Sequence, residues 1–211
     1  MSRLIYSLIA AGIFLAASTA NAAIAITSYT PGTEATNGAW SLGWEFRVGS
    51  NPITVTSLGV YDDGANGLAE SHDVGIYDLS GNLLISGTVN PGDTLNGMFR
   101  YTSVAATALS ANTNSVVTAT TGSENYGYFP TSISFDPAIS YVVDRYVSGA
   151  GLAFPTNSSG HNGSPDHAWF GGTFGFNESS SVPEPATLAI WGLFAIGLPV
   201  AGYRRRLKKS A

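Results

Sequence analysis

Two short stretches concentrate the side chains that could do chemistry. In the first, Asp62-Asp63-Gly64-Ala65-Asn66-Gly67-Leu68-Ala69-Glu70, the oxygen-bearing side chains of Asp62, Asp63, Asn66 and Glu70 fall within nine residues. Carboxylate and amide oxygens on a Gly-rich loop are the ligands that a hard cation such as calcium takes. The spacing is not that of an EF-hand, which needs acids at alternate positions and a distal Glu. Asp, Asn and Gly also serve turn geometry, so a solvated turn in an acidic protein is the simpler account. Calcium is the one cofactor the sequence offers, at these four positions. In the second stretch, His161-Asn162-Gly163-Ser164-Pro165-Asp166-His167, two imidazoles and a carboxylate resemble part of a zinc or copper set. Gly163 and Pro165 impose a turn there, and the chain has no Cys to complete a tetrahedral site. His72 opens a strand beside Asp73 and reads as a structural or surface residue.

Catalytic signatures are missing. There is no G-x-S-x-G, no cysteine nucleophile, and no Gly-rich phosphate loop between a strand and a helix. The acids are too numerous for any one pair to stand out as a glycosidase couple. The expectation is a protein that is not an enzyme, with a secreted glycan-acting enzyme as the alternative. The aromatics offer a different chemistry. Nineteen Phe, Trp and Tyr lie between Ala23 and Val182, and sugar rings stack on aromatic faces. Trp40, Trp44 and Phe46 share one face of a strand, which points to core packing. Tyr126, Tyr128 and Trp169 fall near predicted loops and are the candidates for stacking on glycan.

Charge narrows the partners. The 211-residue chain carries a net charge of −5, but six of its nine Lys and Arg lie at the ends. From Ala23 to Val182 there are three arginines, no lysine and thirteen acids, a net charge of −10. Such a surface repels phosphate backbones, which excludes nucleic acid as a partner.

Both ends read as addresses. Arg3, the apolar run Leu4 to Ala17 and the small residues Ala20-Asn21-Ala22 form a secretory signal over 1–22, cleaved after Ala22. Export machinery and signal peptidase are the expected partners, and export without cysteine leaves the fold no disulfide. At the other end a linker over 178–185 contains Val182-Pro183-Glu184-Pro185. An uncharged run over 186–203 follows, then a tail over 204–211 that begins Arg204-Arg205-Arg206. As a helix the run is about 27 Å long, close to a bilayer core. The basic cluster keeps the tail cytoplasmic. A Pro-Glu-Pro motif, a short apolar helix and a terminal Arg cluster, in that order, resemble the PEP-CTERM sorting signal. The resemblance implies processing by exosortase, a membrane transpeptidase, in a Gram-negative bacterium that makes extracellular polysaccharide. It further implies a precursor held transiently at the inner membrane before delivery to the cell surface or matrix.

The elements that must position these residues are strands. Trp40, Leu42, Trp44, Phe46 and Val48 alternate with Ser41, Gly43, Glu45 and Arg47, the period of a half-buried strand. Ile53 to Tyr61 changes phase near Thr56-Ser57, which predicts a β-bulge. Val74–Leu79 and Asn82–Asn90 form a hairpin around Ser80-Gly81, with Leu83, Ile85 and Val89 on one face. Further strands are predicted over Met98–Val104, Ser115–Ala119, Ile139–Val147 and Trp169–Phe176, and a long loop over Phe154–His167. Eight or so short strands with regular turns predict an all-β fold over 23–177: an antiparallel β-sandwich, jelly-roll-like, between a signal helix and a C-terminal transmembrane helix.

This middle resembles a family of uncharacterised β-sandwich domains found in exported bacterial proteins, many with PEP-CTERM tails. The resemblance rests on Leu42-Gly43-Trp44-Glu45-Phe46, Ile53 to Asp62, Gly67-Leu68, His72 to Asp78 and the Gly81-to-Val89 strand, within residues 40–150. Asn112-Thr113-Asn114-Ser115 stands where the family often has a Gly. The resemblance attaches no activity to any residue. Together the readings predict an exported structural or binding component associated with exopolysaccharide.

Overall fold

The computed structural model describes residues 22–178. The expected signal segment up to residue 21, Val182–Pro185, the apolar run over 186–203 and the basic tail lie outside them. The described residues are all-β with antiparallel sheets. Among them no helix is long and apolar enough to cross a membrane.

Alternation dictates the two main sheets. One runs in the order β1 (Ala22–Ile24), β15 (Gly172–Glu178), β5 (Ile53–Tyr61), β9 (Phe99–Leu109) and β8 (Thr94–Asn96). The other runs β13 (Ile139–Ser148), β4 (Trp40–Val48), β10 (Asn114–Thr120), β6 (His72–Asp78) and β7 (Leu83–Val89). Their apolar faces meet. Trp44 and Phe46 from β4 and Phe174 and Phe176 from β15 are wholly buried. Phe46 and Phe174 rings lie 4.7 Å apart across the interface, and Trp44 stacks on Phe174 at 6.2 Å. Trp44 Nε1 also donates to the Gly172 carbonyl at 2.9 Å, so its one polar group is satisfied inside the core.

Gly43 in β4 allows the close approach of β10. A Cβ there would lie 1.8 Å from the Val117 carbonyl oxygen. The phase change in β5 is a bulge, as the sequence predicts: the register against β9 shifts between Val55 and Ser57.

Two smaller sheets complete this frame. They comprise β14 (Trp169–Phe170), β11 (Tyr126–Tyr128) and β3 (Thr33–Ala35), and β12 (Ser132–Phe135) with β2 (Ile26–Thr30). These strands of two to five residues are too short to show a period, so only the β14 segment is foreseen from sequence.

Three expectations need correction. The run Trp169–Phe176 is not one strand, because it breaks at Gly171 into β14 and β15, which join different sheets. Leu83 does not share the buried face with Ile85 and Val89. A register shift opposite Ile76 and Tyr77 turns it outward, leaving it 49% exposed. Trp40 is not core with Trp44 and Phe46, since it lies where the covering sheet ends and stays half-buried.

Candidate functional site

The face of β4 that carries Trp44 and Phe46 continues to Leu42 and Trp40, past the edge of the opposing sheet. A cleft of about 260 Å³ opens there, lined by Asn37, Trp40, Leu42, Tyr126, Tyr146 and Trp169. Each wall comes from a different element. β4 gives Trp40 and the buried floor residue Leu42, β13 gives Tyr146, β11 gives Tyr126, β14 gives Trp169, and the turn before β4 gives Asn37. Tyr146 pairs with Leu42 in register, so its ring stands on the same face.

The rings brace one another edge to face. Tyr146 lies 5.0 Å from Trp169 and 6.2 Å from Trp40, at interplanar angles of 66° and 70°. Edge-to-face pairing fixes each ring by its neighbour and leaves faces open to the cleft. Asn37 ties two walls together: its Oδ1 accepts from Trp40 Nε1 and from Tyr126 Oη, each at 2.9 Å. Burial pushes the Tyr126 hydroxyl above the usual tyrosine range, so it remains a neutral donor.

The lining holds no charged side chain. It offers apolar ring faces with amide and hydroxyl groups at their edges.

Of the three aromatics expected to stack on glycan, Tyr126 and Trp169 line this cleft. Tyr128 is held beside it, 6.1 Å from Tyr126 and 4.9 Å from the exposed Phe129. Sequence reasoning missed Trp40, Tyr146 and Asn37. The signal for Trp40 is its position as the first residue of a strand, just after the turn Asn37-Gly38-Ala39, where a cover of opposing sheet is least secure.

The loop named for calcium is arranged differently. Asp62 is fully buried and its Oδ2 accepts from Arg100 Nε at 2.7 Å, while Gly67 N–H approaches both its oxygens at 3.2 Å. Asp63 accepts from Asn125 Nδ2 at 2.7 Å. Glu70 accepts from the Ser123 amide and hydroxyl, which hold its carboxyl below the usual range. Asn66 lines a separate open cleft with Asp63, Ser123 and Glu124. Thus each of the three acids has its own partner.

His72 is buried and structural. Its Nδ1 donates to the Thr120 carbonyl at 2.9 Å, since a carbonyl can only accept. His161 and His167 do converge, with rings stacked at 4.8 Å, and Ser159 Oγ bridges His161 and Asp144. Among the described residues no group of three or more His, Asp or Glu is placed to hold a metal ion.

A family model described as Domain of unknown function (DUF4082) matches residues 28–165. The chain belongs to the DUF4082 family. The DUF4082 match stops before β14 and β15, although Trp169 walls the cleft and β15 fills the core. No curated protein and no solved structure matches the chain.

Proposed function

We propose that this DUF4082 protein is an exported cell-surface component, sorted by a PEP-CTERM signal, whose jelly-roll-like β-sandwich binds neutral glycan in the aromatic cleft. The observation that carries the binding role is the meeting of Trp40, Tyr126, Tyr146 and Trp169, from four strands, around an uncharged cleft with Asn37 at its rim. Sugar rings present C–H faces that lie on aromatic rings. Asn37 and the Tyr126 hydroxyl supply hydrogen bonds at the ring edge, which is how a mainly apolar site sets orientation. Exopolysaccharide of the producing cell is the ligand that the sorting signal makes available. The domain's net charge of −10 disfavours acidic polymers and favours neutral ones.

Affinity electrophoresis in gels containing the cell's own exopolysaccharide tests this. The domain is expected to be retarded, and W40A with W169A to run freely while still melting cooperatively as a folded domain. Shortening of the polysaccharide in the same mixture would instead support the glycan-acting enzyme.

A further inference from the structure

We propose that the tip of the β6–β7 hairpin docks on the lipid surface and holds the membrane-bound precursor upright, with the aromatic cleft pointing away from the bilayer. This rests on reading 186–203 as a membrane span.

The two ends of the molecule are set by strand register. Glu178, the last residue of β15, pairs with Ile53 at the start of β5. Ile53 follows Val48 of β4 through one tight turn, and the next residue inward, Arg47, pairs with Asn114. Ser115 in turn pairs with Asp78, the last residue before the hairpin turn. Glu178 and the hairpin tip therefore leave the same end of the two sheets. Trp40, Tyr126 and Trp169 occupy the opposite end, a strand length of nine residues away along β4.

Only residues 179–185 separate Glu178 from the apolar run. Fully extended, seven residues reach about 24 Å, so the hairpin end is held against the bilayer while the cleft end is not.

That end presents the apolar surface a lipid boundary takes. Leu79, Leu83 and Leu84 are 50%, 49% and 40% exposed. They are backed by half-buried neighbours. Leu83 and Leu152 both reach over Gly75, and Phe154 lies against Gly81 with its ring 5.7 Å from Tyr77. From Leu79 to Asn90 no side chain is charged. The adjacent Asp78 is turned into the hairpin, where the amides of Ser80 and Asn82 and the Asn82 Nδ2 donate to it at 2.9, 2.9 and 2.8 Å. In a domain with ten net negative charges this hairpin is an uncharged stretch, suited to a membrane surface. Docking here would also fix the Pro-Glu-Pro segment close to the headgroups, within reach of a membrane-embedded processing enzyme.

The chain has no cysteine, so single labels are clean. The full chain carrying Leu79→Cys or Gly92→Cys, each with an environment-sensitive dye, is floated with phosphatidylcholine vesicles whose acyl chains are brominated near the headgroup. Gly92 lies in the turn after Val89, which pairs with His72 at the cleft end, and a side chain there meets nothing within 4 Å. Loss of fluorescence at position 79 and none at 92, abolished at 79 when Leu83 and Leu84 are both changed to Asp, is the expected result. A floated chain with no loss at 79 overturns the docking while leaving the span intact. Equal loss at both positions overturns the upright orientation. Dye self-quenching at 79 without lipid quenching would assign the patch to a second copy and overturn the proposal. A chain that does not float overturns the span reading, and the docking with it.

Discussion

Asp62 anchors the loop that the sequence offers for calcium. Its side chain is fully buried with Arg100 Nε 2.7 Å away, so the carboxylate already has a cationic partner. Removing one partner of a buried pair leaves the other charge uncompensated, so Asp62→Ala should cost about 3–5 kcal/mol in denaturant unfolding. The cost should be the same with and without calcium chelator, and chelator alone should not move the melting temperature. A fall in melting temperature on chelation would return the loop to metal binding. At the cleft, Trp169→Ala removes one exposed stacking face, and affinity for glycan should fall several-fold to about tenfold, about 1 kcal/mol. Isothermal titration of mutant and wild type measures this directly.

The buried tyrosines fix a pH limit. Burial pushes Tyr101 up to about 12 and also raises Tyr29, Tyr61 and Tyr141, the last three with added help from nearby acids. Above about pH 10 the unfolded chain loses phenol protons that the folded chain keeps, so stability is complete below that pH and falls as pH rises toward 12. Melting temperatures across pH 8 to 11 should be flat and then drop. A melting temperature that rises in that window would contradict the burial of these rings.

At the scale of elements, the long alternating runs are legible and the short ones are not. β4 and β5 stand where their apolar period puts them, and the bulge in β5 shows as a change of phase. β3 and β11 hold three residues each and show no period, because pairing with neighbours far along the chain makes them strands. Leu83 was misplaced for a related reason. A bulge changes which face a side chain takes, and the alternation in β7 continues across it without a break. The cleft was half legible. Tyr126 and Trp169 were marked by nearby loops, while Trp40 and Tyr146 lie on good strands, and only the point where the opposing sheet stops separates a cleft wall from core. β15 gives the sharpest test at this scale. It places Phe174 and Phe176 in the core between β1 and β5, yet lies beyond the DUF4082 match. A fragment ending at residue 165 should expose the core faces of β5 and β4 and fail to give a cooperative melt. Within the full domain, Phe174→Ala should cost about 3–5 kcal/mol.

At the scale of the whole molecule, the cleft and the exit of the chain lie at opposite ends, and that polarity gives the C-terminal segment its meaning. A span beginning at residue 186 would hold the hairpin end near the bilayer and leave the cleft free to meet polymer outside. A processing enzyme in the membrane would meet the Pro-Glu-Pro motif between the folded domain and the lipid. The apolar run contains Gly192, Gly197, Pro199 and Gly202, which weaken a helix in water but are tolerated in lipid, where backbone hydrogen bonds are enforced. Under the proposed sorting role such a segment would serve as a transient anchor. Replacing Pro183-Glu184-Pro185 by alanines should leave the domain folded, with its melting temperature unchanged, and should hold the precursor in the inner membrane. Mass spectrometry of protein recovered from the cell surface should find chains lacking Arg204 to Ala211. Surface protein with that tail intact, or normal delivery of the alanine variant, would make the segment a permanent anchor and remove the sorting role.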